Sequence, residues 1–236
     1  MSLPISIEPL PIPTIVICAH NEQDYIGRTI GLIQETGLNV HIIVVNDGST
    51  DRTSEIAKTK TNVEVIDLPR NVGKANAFFA GLRFALKNKP SCIVTLDADM
   101  LTVPKNDLNE LIRRAETSSK QVKMFVASIH ERGNQFPTRD WSGIRSFSIV
   151  AAYKLLTSPL KKFPKGYGLE QFLNSWFRIQ NLFTYKDRLE NTGFQARAPC
   201  AKIDVKTQEK HMNRLGFNSK YETELFKRVF RYPRRI

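Results

Sequence analysis

Short apolar runs, each ending in polar groups, punctuate the first hundred residues of the chain. Ile15-Val16-Ile17-Cys18 runs into Ala19-His20-Asn21-Glu22, and His41 to Val45 runs into Asn46-Asp47-Gly48-Ser49-Thr50-Asp51. Asn62 to Leu68 precedes Arg70-Asn71-Val72-Gly73-Lys74, and Cys92 to Leu96 leads into Asp97-Ala98-Asp99. The first, second and fourth are continuous apolar runs, which predict buried strands, and Asn62 to Leu68 reads as a third strand. Between them lie helical stretches: Gln23 to Glu35, a segment to about Thr59 that Ser49, Thr50 or Asp51 can cap, and an Ala- and Phe-rich stretch from Ala75 to about Lys87. Strand and helix alternating at this spacing predict an α/β fold with a doubly wound, mostly parallel sheet. Ligands of such sheets bind beyond the carboxyl ends of the strands. Glu22, Asp47, Arg70 with Lys74, and Asp97 with Asp99 are therefore expected to converge on one crevice.

The second half is less regular. A charged amphipathic helix is predicted from Lys105 to Ser118 and a strand from Lys123 to Ile129. His130-Glu131-Arg132 follows it, as part of a site or as a surface hairpin. Gly166-Tyr167-Gly168 precedes Glu170, an acid that opens an amphipathic helix. A further strand ends at Val205. Leu225, Phe226, Val229 and Phe230 then recur at helical spacing among basic residues, as a helix docked on its own domain or one lying in a membrane interface.

Composition narrows the partners. The 236 residues carry a net charge of +12, with 41% apolar and 25% charged residues, ordinary proportions for a globular protein apart from the charge. A pI near 9.7 calls for an anionic partner: nucleic acid, a phosphorylated small molecule or anionic lipid. No helix-turn-helix, zinc-finger spacing or aromatic RNA-binding signature is present, which argues against nucleic acid. No apolar run is long enough to span a bilayer, and Met1 to Pro13 does not read as a secretory signal. Cys18, Cys92 and Cys200 are odd in number and far apart, the usage of reduced thiols in the cytoplasm.

The strongest candidate chemistry is Asp97-Ala98-Asp99. Alternate residues of a strand share a face, so two carboxylates at its end would lie side by side and repel unless a cation joins them. Hard oxygen ligands suit Mg²⁺ or Mn²⁺; the alternative is a strand end with two solvated acids. A Gly-x-Gly-x-x-Gly fingerprint and a Walker phosphate loop are both absent, which excludes the common nicotinamide enzymes and P-loop ATPases. A sugar-nucleotide pyrophosphorylase would begin with a Gly-x-Gly-x-Arg loop where this chain has Ala19-His20-Asn21-Glu22.

Taken together, Ile15 to Glu22, Val44 to Asp51, Asn71 to Ala75 and Leu96 to Asp99 resemble family 2 glycosyltransferases of the GT-A fold, whose sheet is Rossmann-like. In this half the chain is similar to polyprenyl- and dolichyl-phosphate sugar transferases. The resemblance implies an inverting, metal-dependent transfer from a UDP- or GDP-sugar to a hydroxyl or phosphate acceptor, lipid-linked or a small phosphorylated molecule. A non-catalytic nucleotide-sugar-binding protein is the competing class. It further implies that Ala19, Glu22, Asp47, Gly73, Lys74, Asp97 and Ala98 line the nucleotide. Within that set Asp47 would bind the base, Lys74 the phosphates and Asp97 the ribose or sugar, while Asp99 and His211 would hold the metal.

Trp141-Ser142-Gly143-Ile144-Arg145 is similar to a segment that opens an acceptor-side helix, so Trp141, Arg145 and Tyr167 are expected to face the acceptor. The Gly-Tyr-Gly-x-Glu segment sets Glu170 where the family carries its catalytic base, although the Glu-Asp pair of many relatives is missing. Helix capping is the alternative role for Glu170, and a solvated surface position for Lys74 and for His211. The expected organisation is a single GT-A domain: an extension at 1–10, a nucleotide-sugar-binding half at 11–104, an acceptor-binding and catalytic half at 105–218, and a basic tail at 219–236. The protein is expected in the cytoplasm, peripheral at the membrane face.

Overall fold

The computed structural model describes residues 11–128, 130–131, 142–158, 168–179, 188–189 and 192–196. The apolar runs form β1 (Thr14–Ala19), β2 (His41–Asn46), β3 (Val63–Asp67) and β4 (Cys92–Asp97). Between them lie α1 (Ile26–Glu35), α2 (Thr53–Lys58) and α3 (Lys74–Lys87). Helix α1 starts later than expected because Glu22 to Tyr25 is a turn, its Glu22 carbonyl accepting from the amides of Tyr25 and Ile26.

Then come β5 (Met100–Thr102), α4 (Lys105–Thr117), β6 (Met124–Ala127) and β7 (His130–Glu131). They are followed by β8 (Arg145–Ser148), α5 (Ile149–Leu156), α6 (Gly168–Ile179), β9 (Arg188–Leu189) and β10 (Gln195–Ala196). The main sheet has the order β3-β2-β1-β4-β8-β6-β9, and β5-β10-β7 form a small second sheet. Strands β1 to β4 are mutually parallel and β8 runs antiparallel to both its neighbours.

Alternation along the strands supplies both faces of the sheet. Ile15, Ile17, Ile42, Val44, Cys92 and Val94 pack under α1 and α4, whereas Val16, Ile43, Val45 and Ile93 pack against α3, α5 and α6. A sheet covered on both sides must be apolar on both sides, which is why these strands read as unbroken apolar runs.

The chain leaves β1 toward β3 and returns on the other side as β4, so the switch point lies between β1 and β4. Register sets Ala19 beside Asn46 and Cys18 beside Asp97 at that point.

The segment read as the opening of an acceptor-side helix is different in the structure. Arg145–Ser148 is a strand, and the helix begins at Ile149 with the Ser148 hydroxyl accepting from the Ala151 amide. The reason is tertiary: β8 fills the slot between β4 and β6, pairs on both edges and has all its side chains buried. The strand expected to end at Val205, together with Trp141, Tyr167, Cys200, His211 and the tail at 219–236, lies outside the described residues.

Candidate active site

Three loops at the switch point are laced together by hydrogen bonds from backbone amides to side chains. The Asn21 amide donates to Ser49 Oγ at 2.9 Å, and Asn21 Oδ1 accepts from the Thr50 amide at 2.9 Å. Asn21 sits at φ 55°, the left-handed region that asparagine tolerates. The Glu22 amide donates to Thr53 Oγ1 at 2.8 Å, and Gln23 and Arg52 exchange bonds with the opposite loop through Asp51 and the Gln23 side chain. Asp47, only 3% exposed, accepts from the amides of Val72 at 2.7 Å and Gly73 at 2.9 Å. Gly48 lies against the next loop, and a Cβ there would sit 2.2 Å from the Arg70 carbonyl carbon.

The Asp47 clamp shapes the start of α3. Gly73, with φ 89°, turns the backbone immediately before the helix, so Lys74 becomes its first residue. A cation there opposes the helix dipole. It is held by charge instead: Lys74 Nζ lies 2.8 Å from Asp97 Oδ1 and 2.7 Å from Glu170 Oε1. Burial alone would discharge the ammonium, but the Asp97 and Glu170 carboxylates outweigh it and hold its pKa well above the ordinary lysine value. Glu170, 1% exposed, comes from the first turn of α6.

Behind this ion triad Gly143 packs on Asp97 so closely that a Cβ would lie 2.2 Å from Oδ1. Thr95 Oγ1 donates to the Gly143 carbonyl at 2.7 Å and fixes that approach. Val16, Cys18, Phe78, Leu169 and Leu173 complete the walls of the cavity that holds Lys74, Asp97, Arg145 and Glu170. Burial first, then the carboxylates of Asp97, Asp47 and Glu170 against the pull of Lys74, pushes the Cys18 thiol up to about 12. Cys18 is therefore a neutral thiol at physiological pH, a packing group among charges.

The two acids of Asp97-Ala98-Asp99 are not related by strand alternation. Strand β4 ends at Asp97, and Ala98 and Asp99 form the turn into β5. Thr29 of α1 pins that turn, its hydroxyl donating to the Ala98 carbonyl at 2.7 Å and accepting from the Met100 amide at 3.0 Å. Asp99 is half-buried in this pinned turn. Among the described residues no group of three His, Cys, Asp or Glu side chains gathers around a metal position. One hard carboxylate still fits Mg²⁺ or Mn²⁺, which are commonly held by one or two protein acids and the oxygens of a bound diphosphate.

Of the residues expected at the site, the structure joins Lys74, Asp97 and Glu170 directly and sets Ala19, Glu22, Asp47, Gly73, Ala98 and Asp99 on the surrounding loops. Arg145, expected to face the acceptor, is 1% exposed. Its Nε donates to the Ser142 carbonyl at 2.9 Å and its Nη1 to Asn174 Oδ1 at 2.7 Å. Thr29 and Asn174 were not singled out from the sequence, and Gly143 was named only within its motif, without a part in the site. Asn174 had a signal, a polar residue four positions after Glu170 on the apolar face of one helix.

A sequence model described as Glycosyl transferase family 2 matches residues 14–230. The chain belongs to glycosyl transferase family 2. This glycosyltransferase is 34% identical over 166 residues to the uncharacterized protein MJ1222 of Methanocaldococcus jannaschii, a match covering 60% of this chain and 67% of the relative. It is 32% identical over 121 residues to the 4,4'-diaponeurosporenoate glycosyltransferase of Staphylococcus aureus, covering 50% of this chain but only 32% of that enzyme.

Among solved structures it resembles glucosyl-3-phosphoglycerate synthase of Mycobacterium tuberculosis, in complex with Mn²⁺, UDP and glucosyl-3-phosphoglycerate. The TM-score is 0.62 at 18% identity over 89% of this chain and 82% of that one. The mannosyltransferase PcManGT of Pyrobaculum calidifontis, in complex with GDP-Man and Mn²⁺, gives 0.61 at 16% identity, covering 89% and 65%. Both show that the glycosyltransferase has the GT-A fold. Among its described residues no helix is long and apolar enough to cross a membrane.

Proposed function

We propose that this glycosyltransferase moves a sugar, with inversion, from a UDP- or GDP-sugar to a hydroxyl or phosphate oxygen, with Glu170 as the base. The observation that carries the reading is Lys74 bridging Asp97 and Glu170, which joins a donor-side loop to an acid of the second half. Asp47 retains acceptor capacity beyond its two backbone amides, since a carboxylate offers about four lone-pair sites. It can take an N–H of uracil or of guanine. Ala19, Glu22, Gly73 and Ala98 would line the nucleotide, and Asp97 the ribose or donor sugar. Asp99, with His211, would hold the divalent cation. That cation, when bound, neutralises charge on the leaving diphosphate.

In the transfer, the acceptor oxygen forms a bond to the anomeric carbon on the face opposite the diphosphate. The bond from that carbon to the diphosphate oxygen breaks, and the nucleoside diphosphate leaves with the bonding pair. Glu170 takes the acceptor proton. Its Oε1 lies 2.7 Å from Lys74 Nζ, which fixes where the carboxyl group stands. The complexes of the two structural relatives, with UDP or GDP-Man and Mn²⁺, support a nucleotide-sugar donor and a divalent cation. For the acceptor we favour a lipid-linked or small phosphorylated molecule, met by Trp141 and Tyr167, with the basic tail at 219–236 against an anionic membrane surface.

Replacing Glu170 by Gln preserves size and removes the proton acceptor. Turnover of UDP-glucose or GDP-mannose with Mn²⁺ should fall by about 10² to 10⁴-fold, with donor binding by calorimetry retained. A variant turning over near the parent rate would remove Glu170 from the chemistry, and a parent that binds donor without turnover would favour a binding protein. Truncation after Thr223 should release the protein from anionic vesicles in a sedimentation assay and leave nucleotide affinity unchanged. Equal sedimentation of both forms would assign the tail to its own domain.

A further inference from the structure

The helix that carries Glu170 is held at a second polar point. Leu169, Phe172, Leu173, Trp176 and Phe177 bury its apolar face, and apolar contact alone tolerates rotation and sliding. Two polar residues interrupt that face, Glu170 and Asn174, the latter 2% exposed. Four positions apart, they stand one turn above the other. Burying an amide there is costly unless it is hydrogen-bonded. Asn174 Oδ1 accepts from Arg145 Nη1 at 2.7 Å, and Arg145 is itself anchored through Nε to the Ser142 carbonyl at 2.9 Å.

The anchor is rigid. Arg145 lies on β8, where it is in register with Thr95 of β4 and Val126 of β6. Arg145 is among the residues that line the same cavity as Lys74, Asp97 and Glu170.

We propose that Arg145 and Asn174 are a positioning pair for Glu170, setting the rotation and height of α6 without touching donor or acceptor. This rests on the reading of Glu170 as the base. A side chain reaches about 5–6 Å from a helix axis, so a 20° rotation moves the Glu170 carboxylate by about 2 Å. A misplacement of about 1 Å can cost about 10²-fold in rate. The pair therefore acts on kcat and leaves donor KM alone, because the donor-side loops are held by other bonds.

The test compares Asn174→Leu, similar in volume but lacking the acceptor, with Arg145→Lys, which keeps the charge but loses the fork, in case the first fails to fold. Turnover of UDP-glucose or GDP-mannose with Mn²⁺ should show kcat reduced at least tenfold with donor KM within twofold of the parent. In a Glu170→Gln background neither change should lower kcat further. A crystal structure of either variant should show Glu170 Oε1 beyond hydrogen-bond reach of Lys74. An intact 2.7 Å pair, an unchanged kcat, or an equal loss in the Glu170→Gln background overturns the positioning role. Parent-level turnover by Glu170→Gln alone would remove the base, and the positioning role with it. That result differs from a fully active Asn174→Leu enzyme, which leaves Glu170 in place.

Discussion

The rim and the floor of the crevice are built on different principles. The rim, formed by the loops after β1, β2 and β3, is held by backbone amides donating to short polar side chains and to the carboxylates of Asp51 and Asp47, the latter clamping Val72 and Gly73. The floor is held by side chains from remote elements: Lys74 of α3 between the carboxylates of Asp97 of β4 and Glu170 of α6, and Arg145 of β8 on the Asn174 amide oxygen of α6. The rim's lattice fixes the backbone of the loops themselves and so makes a shaped surface. A buried set of paired charges is different, because removing one partner strands another. Disturbing the rim should cost stability, whereas disturbing the floor should cost chemistry as well, because its groups are those proposed to carry the reaction.

The largest effect that tests this contrast is on the metal. Asp99→Ala should abolish the Mn²⁺-dependent part of UDP- or GDP-sugar binding in calorimetry while leaving the melting temperature of the ligand-free protein close to the parent value. Metal-dependent binding that survives at parent strength would take Asp99 out of the site.

Two glycines then compare the regions directly. At Gly48, with φ +60°, an added methyl meets the backbone of Arg70 and Asn71, which cannot yield. Gly48→Ala should destabilise the fold by about 1–3 kcal/mol or more. At Gly143 the added methyl meets the Asp97 carboxylate, a side chain that can swing away from Lys74. Gly143→Ala should unfold at a temperature nearer the parent's and lose more of its donor turnover than of its stability. Equal losses of melting temperature in the two variants would erase the distinction.

The smallest effect is in the pH dependence at the outer edge of the rim. Hydrogen bonds from Lys58, Ser54 and Asn46 lower the Asp67 carboxyl from its ordinary 3.8 to about 2. A depressed carboxylate contributes stability above its unfolded pKa and loses it as pH falls through the folded one. The contribution should thus be whole above about pH 4 and gone near pH 2. It is modest, because the side chain is 42% exposed and screened by water. The melting temperature of Asp67→Asn should lie slightly below the parent's at neutral pH and meet it near pH 2. Parallel profiles throughout that window would show that Asp67 does not couple to folding.

Local pattern carried the donor half. Unbroken apolar runs ending in Asn46-Asp47-Gly48 or Asp97-Ala98-Asp99 determined strands, their burial on both faces and the crevice at their carboxyl ends, since these follow from periodicity and turn chemistry within a few residues. Together with the spacing of those blocks, that sufficed for the α/β class, while the family came from the likeness of the blocks to known glycosyltransferases. The tertiary structure decided what lies beneath. Arg145 reads as the start of a helix until a slot between β4 and β6 makes its segment a strand. Lys74 reads as a phosphate ligand, and nothing local says that α6 brings Glu170 to its other side. Asn174 is one polar residue on an apolar stripe until Arg145 is found opposite it. The partner of a buried charge is chosen by which elements pack together, and that choice is made over distances along the chain that no local pattern records.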